Sequence, residues 1–228
     1  MLSLSIIVPV LNEETTLCHA LDAIKPVLSS INDVELIVVD GGSHDDTLTV
    51  AMNYTSHCLS STKGRASQMN LGAKHASNDI LVFLHADTIL PNDFQLLISN
   101  ALSIKNKQWG RFNVKLSGPH IMLRIIETLM NFRSCITSIA TGDQVIFVRK
   151  STFEMVSGYS SIPLMEDIEL SKKLKNHSRA ICIKNPVTTS SRRWEINGFF
   201  KTIMLMWKLR FLYFMGVPAK KLISSYYK

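Results

Sequence analysis

The chain has 228 residues, 46% of them hydrophobic and 19% charged, with a net charge of +7. That is enough for one large domain or two small ones with a sizeable core, and it excludes a disordered chain. The basic balance suits anionic ligands, membrane surfaces or nucleic acid, but no nucleic-acid module is present and the aromatics are not interleaved with basic residues.

Leu4 to Val10 reads as a buried strand, with Pro9 near its end where a missing donor is tolerated. No basic region precedes it and Pro9 interrupts it, so it is expected to be a first strand and not a secretion signal. After Asn12-Glu13-Glu14, the residues Leu17, Leu21, Ile24 and Leu28 recur at helical spacing. Val34 to Val39 is a second strand that ends at Asp40. In the following Asp40-Gly41-Gly42-Ser43-His44-Asp45-Asp46-Thr47, paired glycines permit a sharp turn and close approach to a ligand, and Ser43 or Asp45 can cap the next helix. His57 to Ser61 is a short third strand, and Gly64-Arg65 opens a helix with Met69, Ala73 and Ala76 on one face. Asp79 leads into Ile80 to Leu84, an apolar run that fits the buried middle strand of a parallel sheet and stops abruptly at His85, Asp87 and Thr88.

Strands alternate with helices, which predicts βαβ units and a mostly parallel sheet. Ligands bind beyond the carboxyl ends of such strands. Asp87 there can hold a hard divalent cation, which can hold a diphosphate, or it can cap the next turn. Asp40 can accept two hydrogen bonds from a base edge or ribose, or form an Asp-Gly turn; Arg65 can meet phosphate or base, or be solvated. No GxGxxG follows the first strand, which disfavours a dinucleotide-binding dehydrogenase.

In the second half, Phe94, Leu97, Ile98, Ala101 and Leu102 mark a helix after Pro91. Trp109 to Leu116 alternates, which predicts a half-exposed strand with Arg111, Asn113 and Lys115 on its polar face; Arg111 is either solvated or turned toward an acceptor cleft. His120 to Ile139 is apolar and helical, with Arg124 and Arg133 interspersed. Thr141-Gly142-Asp143-Gln144 precedes a strand at Val145 to Val148; Asp143 and Gln144 can bond sugar hydroxyls or simply form the turn. Glu166-Asp167 opens a helix carrying Ile168, Leu170 and Leu174, so one carboxylate can face a cleft while the other caps or orients, or both complement the helix dipole. Arg192 and Arg193, before Trp194, can neutralise a diphosphate or form a basic patch.

Phe199 to Val217 is strongly apolar but contains Lys201, Lys208 and Arg210, which argues against a spanning helix. Arg210 lies opposite the two lysines. This segment is expected in a membrane interface, over the core, or against a second subunit, and Lys220, Lys221 and Lys228 add charge that suits anionic lipid. The division expected is a domain at 1–195 and a helical extension at 196–228. Cys18, Cys58, Cys135 and Cys182 are scattered without CxxC spacing and read as buried free thiols of a cytoplasmic, reducing compartment.

Pro9-Val10-Leu11-Asn12-Glu13, Asp40-Gly41-Gly42-Ser43 with Asp45 and Thr47, His85-Ala86-Asp87 and Glu166-Asp167 together resemble an inverting family 2 glycosyltransferase of the GT-A fold. More narrowly, Gly64-Arg65-Ala66-x-Gln68-Met69-Asn70, Phe83 to Thr88, Thr141 to Gln144 and Leu164 to Leu170 resemble a bacterial subfamily associated with radical-SAM/selenodomain genes and linked to arsenosugar biosynthesis. The resemblance runs from the first strand to about Gly216. It implies that Pro9, Leu11, Glu13, Asp40 and Gly42 hold the nucleoside of a UDP- or GDP-sugar, with Asp40 on the base, and that Arg65 flanks base or phosphate. Asp87 would bind the Mg²⁺ or Mn²⁺ that bridges the diphosphate, beside Ala86. His85 stands where much of the family has a second acid, and either ligates the metal or, as favoured here, contacts the ribose. Asp167 would be the general base, with Glu166 beside it. Arg193 and Trp194 match the Arg-Trp of the QxxRW element of polymerising relatives, but Ser190 replaces its glutamine, which argues against processive synthesis. The acceptor would be a hydroxyl-bearing small molecule or lipid. The rival readings are a sugar-phosphate nucleotidyltransferase, whose glycine-rich basic loop is missing from Val10 to Glu14, and a non-catalytic nucleotide-binding protein at the inner face of the cell membrane.

Overall fold

The computed structural model describes residues 2–30 and 33–226; Lys228 lies outside them. The described strands are β1 (Leu4–Val10), β2 (Val34–Asp40), β3 (Cys58–Ser60), β4 (Ile80–Phe83), β5 (Thr88–Ile89), β6 (Trp109–Leu116), β7 (Ile146–Arg149) and β8 (Ile181–Thr189). They form one sheet in the order β3-β2-β1-β4-β7-β6-β8-β5. The helices are α1 (Glu14–Ser30), α2 (Thr47–Met52), α3 (Arg65–His75), α4 (Phe94–Ser103), α5 (Ile121–Thr137), α6 (Lys150–Met155), α7 (Glu166–Lys175), α8 (Arg192–Asn197), α9 (Phe199–Phe214) and α10 (Ala219–Tyr226). A single 3-10 turn, Gly142–Gln144, precedes β7.

The buried runs of β1, β2 and β4 have no polar face because helices cover both sides of the sheet. Alternate residues of β1 divide between two cores: Ile6, Val8 and Val10 pack with Leu17, Leu21 and Ile24 of α1, while Ile7 packs with Met69 and Ala73 of α3. The β3-β2-β1-β4 half is parallel, as the alternation of elements predicts. Beyond it the sheet is mixed: β7 runs antiparallel to β4 and β6, and β8 is parallel to β6. Because Phe83 pairs with Ile146 across that antiparallel step, the turn leading into β7 lies at the same edge as the ends of the parallel strands.

Two expectations are corrected. On the polar face of β6, Lys115 is exposed and Asn113 half-buried as expected, but Arg111 is fully buried and its guanidinium donates to Asn113 Oδ1, to the Phe112 carbonyl (3.1 Å) and to the Asn131 carbonyl of α5 (2.7 Å). It braces strand to helix and is out of an acceptor's reach. The cysteines are free but not buried: Cys135 is exposed and the other three are half-buried. The strand β8 was not foreseen, because Lys184-Asn185-Pro186 breaks its apolar pattern. Pro186 is accommodated at a bulge, where pairing jumps from Phe112–Ile183 to Asn113–Pro186.

The C-terminal helices fold back on the domain. Leu209 of α9 and Ala219 and Leu222 of α10 are buried against Leu164, Met165 and Ile168 around the start of α7. Tyr213 Oη donates to Glu169 at 2.7 Å. Among the described residues no helix is long and apolar enough to cross a membrane.

Candidate active site

The carboxyl ends of β1, β2 and β4 share one edge, and the expected loops leave from it. The 9–13 and 40–47 loops are joined to each other: Asn12 N–H donates to Ser43 Oγ (2.9 Å), Asn12 Oδ1 accepts from His44 N (2.9 Å), and Glu13 N–H donates to Thr47 Oγ1 (2.8 Å). Asp40 is buried and accepts from Gly42 N (3.1 Å), Ser43 N (3.1 Å) and Ser43 Oγ, which is the turn-forming role. Gly42 has φ +92°, a left-handed conformation that suits glycine. Pro9 is buried within β1, Leu11 and Glu13 are half-buried, and Glu13 also accepts from Thr16. Asp45 accepts from Thr47 N and Oγ1 at the start of α2, although Asp46 is the capping position.

Helix α3 is fixed to this edge by Gln68. Its buried amide donates to the carbonyls of Val10 (2.8 Å) and Val39 (2.7 Å), the last residue of β1 and the penultimate residue of β2. Arg65, one turn earlier, is therefore presented at the edge. It stays accessible, and although crowding opposes its charge, Tyr226, Glu166, Asp167 and Asp143 hold it firmly protonated.

Beyond β4 the chain carries His85, Ala86 and Asp87. His85 and Ala86 are buried, and Asp87 is half-buried with Thr88 Oγ1 at 3.3 Å. His85 Nδ1 lies 3.6 Å from Asp143 Oδ1. Burial alone would lower the His85 pKa, but the neighbouring Asp143 carboxylate and the charge of Asp167 raise it above its ordinary value despite Arg65 nearby. Asp143 moves the opposite way: its surroundings would raise it, and His85, Arg65 and Arg193 bring it below the usual range. Its side chain nevertheless remains 48% accessible.

The 142–144 turn joins this group to α7. Gly142 N–H donates to Asp167 Oδ2 at 2.8 Å, and a Cβ on Gly142 would stand 2.2 Å from the His85 ring, so only glycine permits the approach. Glu166 is buried; desolvation first, then the Asp167 charge, pushes its pKa up to about 7. Thus His85, Arg65, Asp143, Glu166 and Asp167, from four separate elements, face one another.

Besides Arg111, two expected ligands fall outside. Gln144 is fully buried; its amide donates to Ser134 Oγ (2.9 Å) and Asn131 Oδ1 (3.3 Å), so it ties the turn to α5 and does not reach a sugar. Trp194 packs against Leu116, Leu123 and Ile126. Arg193 remains at the site: it lowers the Asp143 pKa, stands 3.7 Å over the Tyr226 ring and donates to the Tyr226 carbonyl at 3.0 Å. Sequence reasoning missed Arg210 and Arg133. Arg210 of α9 acts on Asp143 and Asp167, and Arg133 of α5 lies near Arg210 and Arg111, its pKa brought to about 10 by burial. The available signal was the position of Arg210, alone on the side of its helix away from Lys201 and Lys208.

Among the described residues no three His, Cys, Asp or Glu side chains form a metal cage. Asp87 fits the other kind of site, in which one carboxylate holds a divalent cation whose remaining ligands are diphosphate oxygens and water.

Residues 5–104 match the family described as Glycosyl transferase family 2. The chain is 36% identical over 101 residues to the glucosyl-3-phosphoglycerate synthase of Mycobacterium tuberculosis, an overlap of 40% of this chain and 30% of that protein. It is 30% identical over 107 residues to the uncharacterized glycosyltransferase RP339 of Rickettsia prowazekii, covering 45% of this chain and 33% of that one. The chain thus spans about a third of the length of these curated relatives. The fold matches GT-A glycosyltransferase structures. The M. tuberculosis synthase in complex with Mn²⁺, UDP and glucosyl-3-phosphoglycerate superposes with a TM-score of 0.66 at 19% identity, covering 95% of this chain and 81% of that one. TarS of S. aureus with UDP gives 0.65 at 16% identity, covering 82% and 60%.

Proposed function

We propose that the chain is an inverting glycosyltransferase that moves a sugar from a UDP- or GDP-sugar to a hydroxyl acceptor. The observation that carries this reading is the meeting of Asp167 with the 142–144 turn and His85, at the edge where the Asp40 and Asp87 loops also end. The joined loops at 9–13 and 40–47 would hold the nucleoside and Arg65 the base or phosphate. Asp87 would hold the divalent cation, which when bound supplies Lewis-acid stabilisation of the leaving diphosphate, as Mg²⁺ or Mn²⁺ accompanies UDP in the relatives' structures. His85, already engaged by Asp143, suits a ribose contact better than metal ligation.

The acceptor hydroxyl gives its proton to Asp167 as its oxygen attacks the anomeric carbon, and the diphosphate departs from the opposite face. One Asp167 oxygen is held by Gly142 N–H; the other is the acceptor we assign. A single base suffices for inversion. Arg193 and Arg210, beside Asp143, suit an anionic donor or an acceptor with an acidic group, such as the phosphoglyceric acid bound to the M. tuberculosis synthase. The motif set leads us to place the chain in the radical-SAM/selenodomain-associated subfamily, with a cytoplasmic location.

Asp167→Asn is expected to reduce transfer by about 10²–10⁴-fold while nucleoside diphosphate affinity stays the same within about a factor of 2. Near-normal turnover in that variant would remove the base assignment.

A further inference from the structure

The outer faces of α5 and α9 take no part in the reaction proposed above. On α9, Phe200, Met204, Trp207, Phe211 and Phe214 are 60–74% exposed, and steps of three and four residues put them on one face. Thr202 and Leu209, the buried residues of that helix, lie on the opposite face. The helix docks by a narrow strip and turns its wide apolar face outward. Helix α5 does the same: Ile121, Ile125, Leu129, Phe132 and Ile136 are 48–68% exposed, opposite the buried Leu123, Ile126 and Ser134. The two helices meet near their first turns, where His120 stacks on Phe199 at 4.6 Å and Leu123 and Ile126 pack with Phe199 and Ile203. Two such stripes exceed the scattered apolar exposure of an ordinary surface.

Charge selects the occupant. Neither α9 nor α10 contains an acidic residue. Lys201 and Lys208 are exposed a quarter turn from the Phe200 line, and Lys220 and Lys221 are exposed on α10. The acid of α5, Glu127, accepts from Leu116 N at 2.8 Å and pairs with Arg124 at 3.2 Å, so it does not offset these lysines at the surface. A second copy of the chain would bring two lysine-bordered faces together. An anionic lipid surface would meet the lysines with opposite charge and accept the aromatic side chains at headgroup depth. We propose that the α5–α9 face docks on an anionic bilayer surface, lying on it without crossing it.

Co-sedimentation of the full chain with vesicles tests this. Binding is expected to vesicles of phosphatidylcholine mixed with phosphatidylglycerol, to weaken with salt, and to be at least about tenfold weaker to phosphatidylcholine alone. Trp207→Ser with Phe211→Ser should reduce binding by about tenfold or more, and Lys201→Glu with Lys208→Glu should remove the preference for the anionic lipid, each with unchanged circular dichroism. Equal binding by wild type and variants would overturn the proposal. So would absence of vesicle binding together with a concentration-dependent dimer, seen by light scattering, that Trp207→Ser/Phe211→Ser abolishes; that result would assign the face to a second copy.

Discussion

At the scale of single residues, the site works by placing unlike environments side by side. Asp143 is accessible and flanked by His85, Arg65 and Arg193, so it stays charged. Glu166 is buried beside Asp167, so it holds its proton up to about 7 instead of 4.5. The folded state therefore binds a proton over that interval that the unfolded chain has released. The associated stability is complete below the lower value and is lost as pH rises through the upper one. Glu166→Gln removes the buried charge, so the variant should exceed wild type by about 1–3 kcal/mol at pH 8 and lose most of that advantage at pH 5. Thermal unfolding at the two pH values measures it; an equal advantage at both would contradict the assignment. The place of Asp87, just beyond β4, was legible because it follows an apolar run that stops abruptly. Arg111 and Gln144 were not, since alternation and turn patterns look alike whether the polar side chain meets water or a neighbouring helix. Arg210 acts on Asp143 and Asp167 only because α9 docks as it does.

At the scale of elements, the site is set by loops held in unusual conformations. Asn12 (φ 54°), Val145 (φ 49°) and Met165 (φ 69°) are left-handed non-glycine residues, and each adjoins a candidate site segment: the 9–13 loop, the 142–144 turn and the start of α7. Such conformations are costly unless the surroundings impose them. The 142–144 turn is held by Gln144, whose side-chain oxygen accepts from Thr141 N (3.3 Å) and whose N–H donates to the Thr141 carbonyl (2.9 Å). Gly142→Ala should drive the turn away from the His85 ring and break the bond to Asp167. We expect at least about a tenfold loss of transfer with the sheet intact by circular dichroism; retained activity would show that the contact between turn and His85 is dispensable. The strands β1, β2 and β4 and helices α1, α3 and α7 were legible from period and breakers. The strand β8 was not, because its pairing with β6 passes through the bulge at Pro186, a tertiary solution that local pattern does not encode. Within the Gly64–Asn70 motif, Gln68 and Asn70 turned out to be braces, Asn70 bonding both the N–H and the carbonyl of Tyr159.

At the scale of the molecule, a parallel half supplies the 9–13 and 40–47 loops and Asp87, while the mixed half supplies the 142–144 turn and α7. The antiparallel pairing of β4 with β7 brings the two halves to one edge. The C-terminal helices complete that edge through Arg210 and Tyr226 and leave an apolar, lysine-bordered face outside. The proposed function requires that one carboxylate, Asp87, grip a cation-bound diphosphate at this junction. Calorimetric titration of UDP and GDP with and without Mn²⁺, on wild type and Asp87→Ala, tests it most directly. We predict that Mn²⁺ tightens binding of one of these nucleotides to wild type by about tenfold or more and leaves Asp87→Ala unaffected; equal metal enhancement in both proteins would contradict it.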